Sequence, residues 1–219
     1  MSAATPSSPP EGEIVEHIVL FKVKPSTPAS MIADWLASLN SLAVSVPSVL
    51  HLVAAPILRT EATFTHLLHA RYPDLAGLAG YSIHPEHVAI VQRAAPMCED
   101  IMALDWMTQD PGSVESPVVG PGKAVKITFL KLKEELSEEK GKEAVADVIT
   151  VMKEKDGIKG LEASTVGESF SPGRAKGFRI GSLAVFAGRE EMMQAADYPE
   201  RLERVVQEVI AVDFVVPEK

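Results

Sequence analysis

All six histidines of this 219-residue chain lie in its first half: His17, His51, His66, His69, His84 and His87. Histidine is the side chain whose charge changes near neutral pH, so this half is where acid–base chemistry is expected. Tyr81 and His87 stand on either side of Pro85, a residue typical of the first turn of a helix. A phenol beside a neutral imidazole can move a proton to or from a carbonyl compound, which makes Tyr81 and His87 the candidate catalytic pair.

His17 and His66 are the candidates for supporting residues. In a strand, His17 shares a face with Val19 and Phe21, and His66 shares one with Leu68, so both imidazoles point into apolar layers. Together with the Tyr81–His87 pair they would form a polar cluster in an apolar cavity, which is the usual form of a small-ligand site. The residues predicted to line it are Val19, Phe21 and His84. The alternative is that each histidine is a hydrogen-bonded interior residue or a surface residue.

The elements that must position these residues occur twice. Residues 16–24 (EHIVLFKVK) match residues 125–133 (VKITFLKLK) at an offset of 109, and residues 101–106 (IMALDW) match residues 209–214 (VIAVDF) at an offset of 108. Residues 110–122, rich in proline and glycine, separate the two copies. The sequence therefore predicts a disordered arm at 1–12, a first repeat at 13–109, a linker at 110–122 and a second repeat at 123–217.

Each repeat has the predicted element order β-α-β-β-α-α-β, with an apolar first strand and a helix at 30–45 for which Ser30 is a plausible cap. The first strand is apolar on both faces, so its sheet needs a second apolar layer besides its own helices. The other repeat supplies that layer if the two sheets face each other. The second repeat lacks the imidazoles: Lys126 stands where the first has His17, and Arg201 where it has His87. Those two cations would suit an anion rather than general-base chemistry, so we expect one binding cavity per chain, in the first repeat.

The EHIVLFK motif with YSIHPEHV at 81–88 resembles the plant-type stress-responsive dimeric α/β-barrel (Dabb) family. The resemblance covers both repeats and implies an α+β fold: two tandem ferredoxin-like βαββααβ units that pair their sheets into an α/β barrel, here an intrachain pseudo-dimer. The second unit is degenerate at the histidine positions. The family association also implies a role in stress or pathogen defence.

The first repeat is also similar to plant polyketide cyclases on this fold, such as olivetolic acid cyclase. By that resemblance His87 would be the general base and Tyr81 would hold it and the substrate carbonyl in place. His17 and His66 would line the pocket and orient the ligand.

Composition excludes several classes. A net charge of −9 argues against nucleic acid or an anionic membrane as the main partner, and the single cysteine, Cys98, rules out an internal disulfide. The chain has no targeting signal that we recognise, so we expect a cytoplasmic protein. His84 and His87 have a spacing that can hold a metal, but no His-Glu-x-x-His pattern follows, and no phosphate loop or haem or flavin motif is present. We therefore expect neither a metal nor a cofactor.

Three functions remain open. The first is binding of a small apolar or phenolic molecule in the first repeat. The second is a cofactor-free, polyketide cyclase-like lyase that uses Tyr81 and His87. The third is a non-catalytic interaction scaffold, with the histidines merely buried; self-association stays open in each case.

Overall fold

The computed structural model describes residues 13–60, 62–109, 119–133, 138–154 and 157–218. The predicted arm at 1–12 and most of the predicted linker lie outside the described residues. The first repeat follows the predicted order with one additional two-residue strand; its elements are β1 (Glu13–Val23), α1 (Ala29–Ser45), β2 (His51–Pro56), β3 (Arg59–Thr60), β4 (His66–Tyr72), α2 (Leu75–Ile83), α3 (Pro85–Ala94) and β5 (Cys98–Gln109).

The second repeat has the same strands and a reduced helical segment before its last strand. Where the first repeat has α2 and α3, the second has one six-residue helix and a short 3₁₀ turn at Glu200–Leu202. Its elements are β6 (Ala124–Leu132), α4 (Glu138–Met152), β7 (Leu161–Glu168), β8 (Ile180–Phe186), α5 (Arg189–Gln194) and β9 (Val206–Val215). Among the described residues, none of the helices is both long and apolar enough to cross a membrane.

Each repeat forms an antiparallel sheet with its first strand in the middle. The first sheet has the order β2-β4-β1-β5 and the second has the order β3-β9-β6-β8-β7. The central strand of each sheet is apolar on both faces. In β1, Ile18 and Leu20 face one way, while Val19 and Phe21 face the other.

The two sheets pack face to face, as the apolar first strands predict. Ile18 and Leu20 of the first sheet share one buried cluster with Ile127 and Phe129 of the second. The opposite face of each sheet carries its own helices, so that Val19 and Phe21 pack against α1. The chain is thus an α+β barrel of two tandem ferredoxin-like units, as predicted.

Two glycines make room where the sheets meet. Gly167 of β7 and Gly181 of β8 are direct cross-strand partners, and both face the ring of Trp106 from β5. A Cβ at Gly181 would come within 2.5 Å of that ring. Trp106 itself is fully buried, so the glycine pair forms a slot in the second sheet that seats a side chain of the first.

Each repeat also lends a segment to the edge of the other sheet. The short strand β3 of the first repeat pairs with β9, while Ser169, after β7, forms a β-bridge with Trp106 of β5. Residues beyond that bridge continue along β5, because the Phe170 amide donates to the Asp105 carbonyl at 3.1 Å. The last strand of each repeat is therefore covered by the other repeat.

The prediction that Ser30 caps the first helix is wrong. The helix begins at Ala29 with Pro28 in the capping position, and no side chain caps its first turn. Asp74 does cap α2, where its carboxylate accepts from the Gly77 amide at 2.7 Å. That cap fixes the start of the helix that carries Tyr81.

Candidate functional site

His17 is held by a carboxylate that the sequence analysis did not single out. Its Nδ1 donates to Oδ1 of Asp105, the residue directly opposite on the neighbouring strand β5. Both side chains are almost completely buried on the helix-facing side of the first sheet. A carboxylate on Nδ1 fixes the orientation and tautomer of the imidazole, which is the arrangement found in acid–base catalysts.

Two phenols lie beside this pair. The rings of Tyr72 and Tyr81 are 6.0 and 6.2 Å from that of His17 and 5.1 Å from each other. Their hydroxyls interact electrostatically, but the Tyr72 hydroxyl does not reach hydrogen-bond geometry with any described residue. Burial raises the pKa of Tyr81 to about 12 and that of Tyr72 further. Both phenols are therefore neutral hydrogen-bond donors at physiological pH.

His87 stacks on Tyr81, with 4.3 Å between ring centroids. Its Nδ1 lies 3.1 Å from the carbonyl oxygen of Ser82, and because a carbonyl only accepts, Nδ1 must carry the proton. Burial lowers the pKa of His87, and His17, Arg174 and His84 add to this, whereas the Ser82 carbonyl opposes it. The ring is thus neutral at pH 7, with Nε2 left as its basic nitrogen.

The second repeat contributes to this site of the first. Arg174 lies in the segment between β7 and β8, and its carbonyl accepts from the Ala103 amide of β5 at 3.2 Å. Burial alone would raise the pKa of Asp105, but His17, Ser171 and Arg174 favour the ionised form and hold that pKa below its ordinary value. Groups from both repeats, His17 from the first and Ser171 and Arg174 from the second, therefore favour the ionised carboxylate that orients His17.

His66 does not join the cluster. It is opposite Phe21 on β1, four residues along the strand from His17, which corresponds to about 13 Å. Its Nδ1 is 2.8 Å from the Thr65 hydroxyl and its ring packs edge-on against Trp35. The structure thus brings three of the four predicted catalytic residues together, namely His17, Tyr81 and His87, and replaces the fourth by Asp105 and Tyr72.

The predicted lining residues are in the same layer. Val19 and Phe21 are buried in the core between the first sheet and its helices, where the Phe21 ring meets Trp35 edge-on at 4.9 Å. His84 is half-buried between α2 and α3, one turn before His87, and its Nδ1 has no partner among the described residues. That these three residues contact a ligand stays a prediction.

The remaining two histidines belong to a different, deeply buried cluster. Glu16 faces the barrel interior, where it accepts from His69 Nε2 at 2.6 Å and from Arg71 Nη2 at 2.8 Å. The hydroxyl of Thr165, from the second repeat, donates to the same carboxylate at 3.2 Å. The His51 ring lies 4.8 Å from that of His69. This cluster ties the two sheets together and does not face the site on the helix side.

In the second repeat an ion-pair cluster replaces the histidine. Lys126, at the position of His17, lies 2.7 Å from Asp197 and 3.0 Å from Asp213, the counterpart of Asp105. Arg59 of β3 bonds the same two carboxylates, at 2.7 and 2.6 Å. Arg201 is not part of this cluster, since it is exposed and pairs with Glu154. The two cations of the second repeat therefore do not act together on an anion.

A metal site is not evident at either position. No group of three or more histidine, cysteine, aspartate or glutamate side chains within the described ranges has the geometry to hold a metal ion.

Comparison with known proteins supports both the fold described above and its occurrence twice in the chain. The family model described as "Stress responsive A/B Barrel Domain" (Dabb) matches residues 15–108 and again residues 124–216. One stress-response A/B barrel domain-containing protein of Arabidopsis thaliana is 41% identical, over 96% of this chain and 82% of its own length. A second protein of that description from the same plant is 39% identical, over 93% of this chain and 97% of its own length.

A solved structure extends the likeness of fold to the whole barrel. The putative monooxygenase of Fusobacterium nucleatum superposes with a TM-score of 0.63 at 12% identity, covering 95% of this chain and 94% of that one. At that identity the likeness concerns the fold alone. The family model and the two plant relatives go further: the chain belongs to the stress-responsive A/B barrel domain family, with two tandem domains.

Proposed function

We propose that this stress-response A/B barrel domain protein is a cytoplasmic binder of a small apolar or phenolic molecule, with a role in plant stress or defence. The observation that carries the proposal is the convergence of His17, Tyr81 and His87 on the helix side of the first sheet, within an otherwise apolar layer. Tyr81 and His87 offer one donor and one acceptor, which match a phenolic hydroxyl. The surrounding apolar side chains match its hydrocarbon part.

The test uses 4-propylphenol as the probe and follows the amide signals of the full chain by NMR. We expect shifts around Tyr81 and His87 and an increase in Tm with probe concentration. Tyr81→Phe keeps the ring and removes the donor, so affinity should fall roughly three- to tenfold.

A variant that adds bulk at the proposed site supplies the second arm. Val19→Phe places bulk beside His17 and should abolish the probe-induced increase in Tm. Val44→Phe is the matched control, because Val44 is 91% exposed on α1 and tolerates the same change. Probe binding that neither Tyr81→Phe nor Val19→Phe weakens would overturn the proposal. If the protein neither bound the probe nor catalysed a reaction, the remaining function would be that of a non-catalytic interaction scaffold.

A second candidate is proton transfer, as in a polyketide cyclase-like lyase. It is favoured by the neutral His87, whose Nδ1 donates to the Ser82 carbonyl, so that Nε2 is the basic nitrogen, and whose ring stacks on that of Tyr81 at 4.3 Å. Nε2 would take a proton from the carbon next to a carbonyl, the bonding electrons would move onto the carbonyl oxygen, and Tyr81 would donate to the resulting enolate. His17, held by Asp105, would orient the substrate.

Deuterium exchange next to the carbonyl of acetophenone in heavy water tests this candidate. We expect the wild type to accelerate exchange, His87→Gln to abolish the acceleration, and the exposed α3 variant Arg93→Gln to retain it. Acceleration that persists in His87→Gln would exclude His87 as the base.

A further inference from the structure

The second repeat contains a cavity of about 440 Å³ between its sheet and its helices, within the range typical of small-ligand sites. Its floor is formed by Lys126 and Thr128 of β6 together with Ser164 of β7 and Ser182 and Ala184 of β8, and its walls are largely apolar. This position is equivalent to the His17 site of the first repeat but holds different chemistry. The expectation of a single cavity per chain, in the first repeat, is therefore wrong.

Register explains why the cavity is open. In the first sheet His17 is opposite Ala70, which is in turn opposite Leu52 on the next strand. The equivalent row of cross-strand partners in the second sheet is Lys126, Ala184 and Ser164. In the next row Leu68 is opposite Val19, whereas Ser182 is opposite Thr128. Two leucines of the first floor are thus serines in the second, and a six-residue helix replaces α2 and α3 above them.

The floor also offers hydrogen bonds that the protein does not use. The hydroxyls of Ser164 and Ser182 have no hydrogen-bond partner among the residues that the structure describes. Lys126 is 3% exposed, and its ammonium group pairs with Asp197 and Asp213. An ammonium group has three N–H donors, so two carboxylate partners leave at least one for another acceptor. A ligand oxygen inside the cavity can accept from these donors.

Charge narrows the class of ligand. Lys126 and Arg59 balance Asp197 and Asp213 in the ion-pair cluster, and the lining as a whole has two lysines against three acidic residues. Arg201 also neutralises Glu154, so the cavity with its ion-pair partners has no net charge and favours neither an anion nor a cation. We propose that this cavity is a second binding site, which takes a neutral, mostly apolar molecule with a carbonyl or hydroxyl oxygen directed at Lys126, Ser164 and Ser182. This site is independent of the one proposed in the first repeat.

Three probes of matched size test the class: 2-acetylnaphthalene, 2-ethylnaphthalene and 2-naphthoate, titrated into the full chain and followed by amide shifts in β8. We expect the ketone to shift the Ser182 and Ala184 signals and to bind at least several-fold more tightly than the other two. Equal or tighter binding of the carboxylate or of the ethyl compound would overturn the proposal. So would an absence of β8 shifts with all three probes.

Variants separate this site from the first. Ser182→Ala removes one donor without adding bulk, so it should weaken the ketone roughly three- to tenfold and leave the ethyl compound unchanged. Ser164→Leu with Ser182→Leu fills the floor of this cavity with bulk and removes both hydroxyls, so it should abolish binding here. Tyr81→Phe, in the other repeat, is the control and should leave the β8 response intact. If Tyr81→Phe weakened ketone binding and Ser182→Ala did not, the probes would bind at the first site.

Discussion

Two equivalent residues, His17 and Lys126, show how one position can serve different chemistry. Each lies on the first strand of its repeat and pairs with the aspartate opposite it on the last strand, Asp105 or Asp213. In the first repeat the pair is an oriented imidazole beside two phenols. In the second it is a neutralised ion cluster beside an open cavity.

Asp105→Asn should cost about 1.5–3 kcal/mol of unfolding free energy, because the buried hydrogen bond from His17 loses its charged acceptor. Urea unfolding measures this cost. Asp100→Asn is the control: its partner Lys176 is 43% exposed, so a change within about 1 kcal/mol is expected. Equal costs for the two variants would show that the His17–Asp105 pair contributes no more than a surface pair.

The protonation of His87 gives a second prediction at this scale. Because burial lowers its pKa below the ordinary 6.5, its ring should stay neutral at pH 7 and titrate only in more acidic solution. An NMR titration of the ring nitrogens should give a midpoint below 6.5, with Nδ1 protonated throughout. A midpoint at or above 6.5 would contradict the role of Nε2 as a base near neutral pH.

At the scale of elements, the barrel is closed by segments that cross between repeats. β3 covers the edge of β9, and the segment after β7 covers β5. Covering an edge strand protects its unpaired backbone groups from association with other chains. The same crossing segment brings Arg174 to the first site, so closure of the barrel and electrostatics of the site depend on one element.

Gly181→Ala should destabilise the barrel by about 1–3 kcal/mol, because the new methyl group would overlap the Trp106 ring. Urea unfolding followed by tryptophan fluorescence measures the loss. Gly80→Ala is the control: nothing lies within 4 Å of a Cβ there, and alanine in α2 should add about 0.5–1 kcal/mol. A neutral Gly181→Ala would mean that the two sheets can shift apart at no cost.

For the molecule as a whole, the buried Glu16 cluster makes stability sensitive to acid. Burial lowers the pKa of His51 to about 3, with further lowering by His69 and Arg71 against the opposing charge of Glu16. For Glu16, burial opposes ionisation, but Arg71 and His69 outweigh it and lower the pKa to about 2. Both shifts act in the same direction, since the unfolded chain takes up protons at a higher pH than the folded chain does.

Unfolding free energy should therefore decrease as the pH falls below about 6.5, by about 1.4 kcal/mol per pH unit for each proton taken up on unfolding. Urea unfolding at pH 7.5, 6.0, 5.0 and 4.0 measures the slope. His51→Asn should make the slope shallower between pH 6 and 4. A stability that stays constant down to pH 4 would show that the buried histidines do not resist protonation.

The architecture could be predicted from the sequence because each segment has its own pattern of apolar residues and the same segments occur twice. The spacing of apolar residues along each segment predicted the element order, and the first strands, apolar on both faces, predicted the face-to-face sheets. The sequence also predicted that His17, Tyr81 and His87 lie in one cluster, because Pro85 marks a helix start and strand alternation gives the face on which His17 lies.

What the sequence did not predict depends on distant neighbours and on volume. Asp105 was visible only as part of the repeat, and its pairing with His17 requires the β1–β5 register across 88 residues. His66 was assigned to the cluster because alternation gives the face of a strand but not the distance along it. The open cavity follows from leucine-to-serine differences at Ser164 and Ser182, which become visible only once the rows of the two sheets are aligned.

The covalent link between the repeats has a consequence for how the two positions can diverge. In a barrel made from two identical chains, any mutation at the first-strand position appears in both halves, so a histidine on one side requires a histidine on the other. A tandem chain removes that constraint, and His17 and Lys126 could be selected separately after duplication. Every molecule then carries one position of each kind in a fixed ratio, whatever its concentration in the cell.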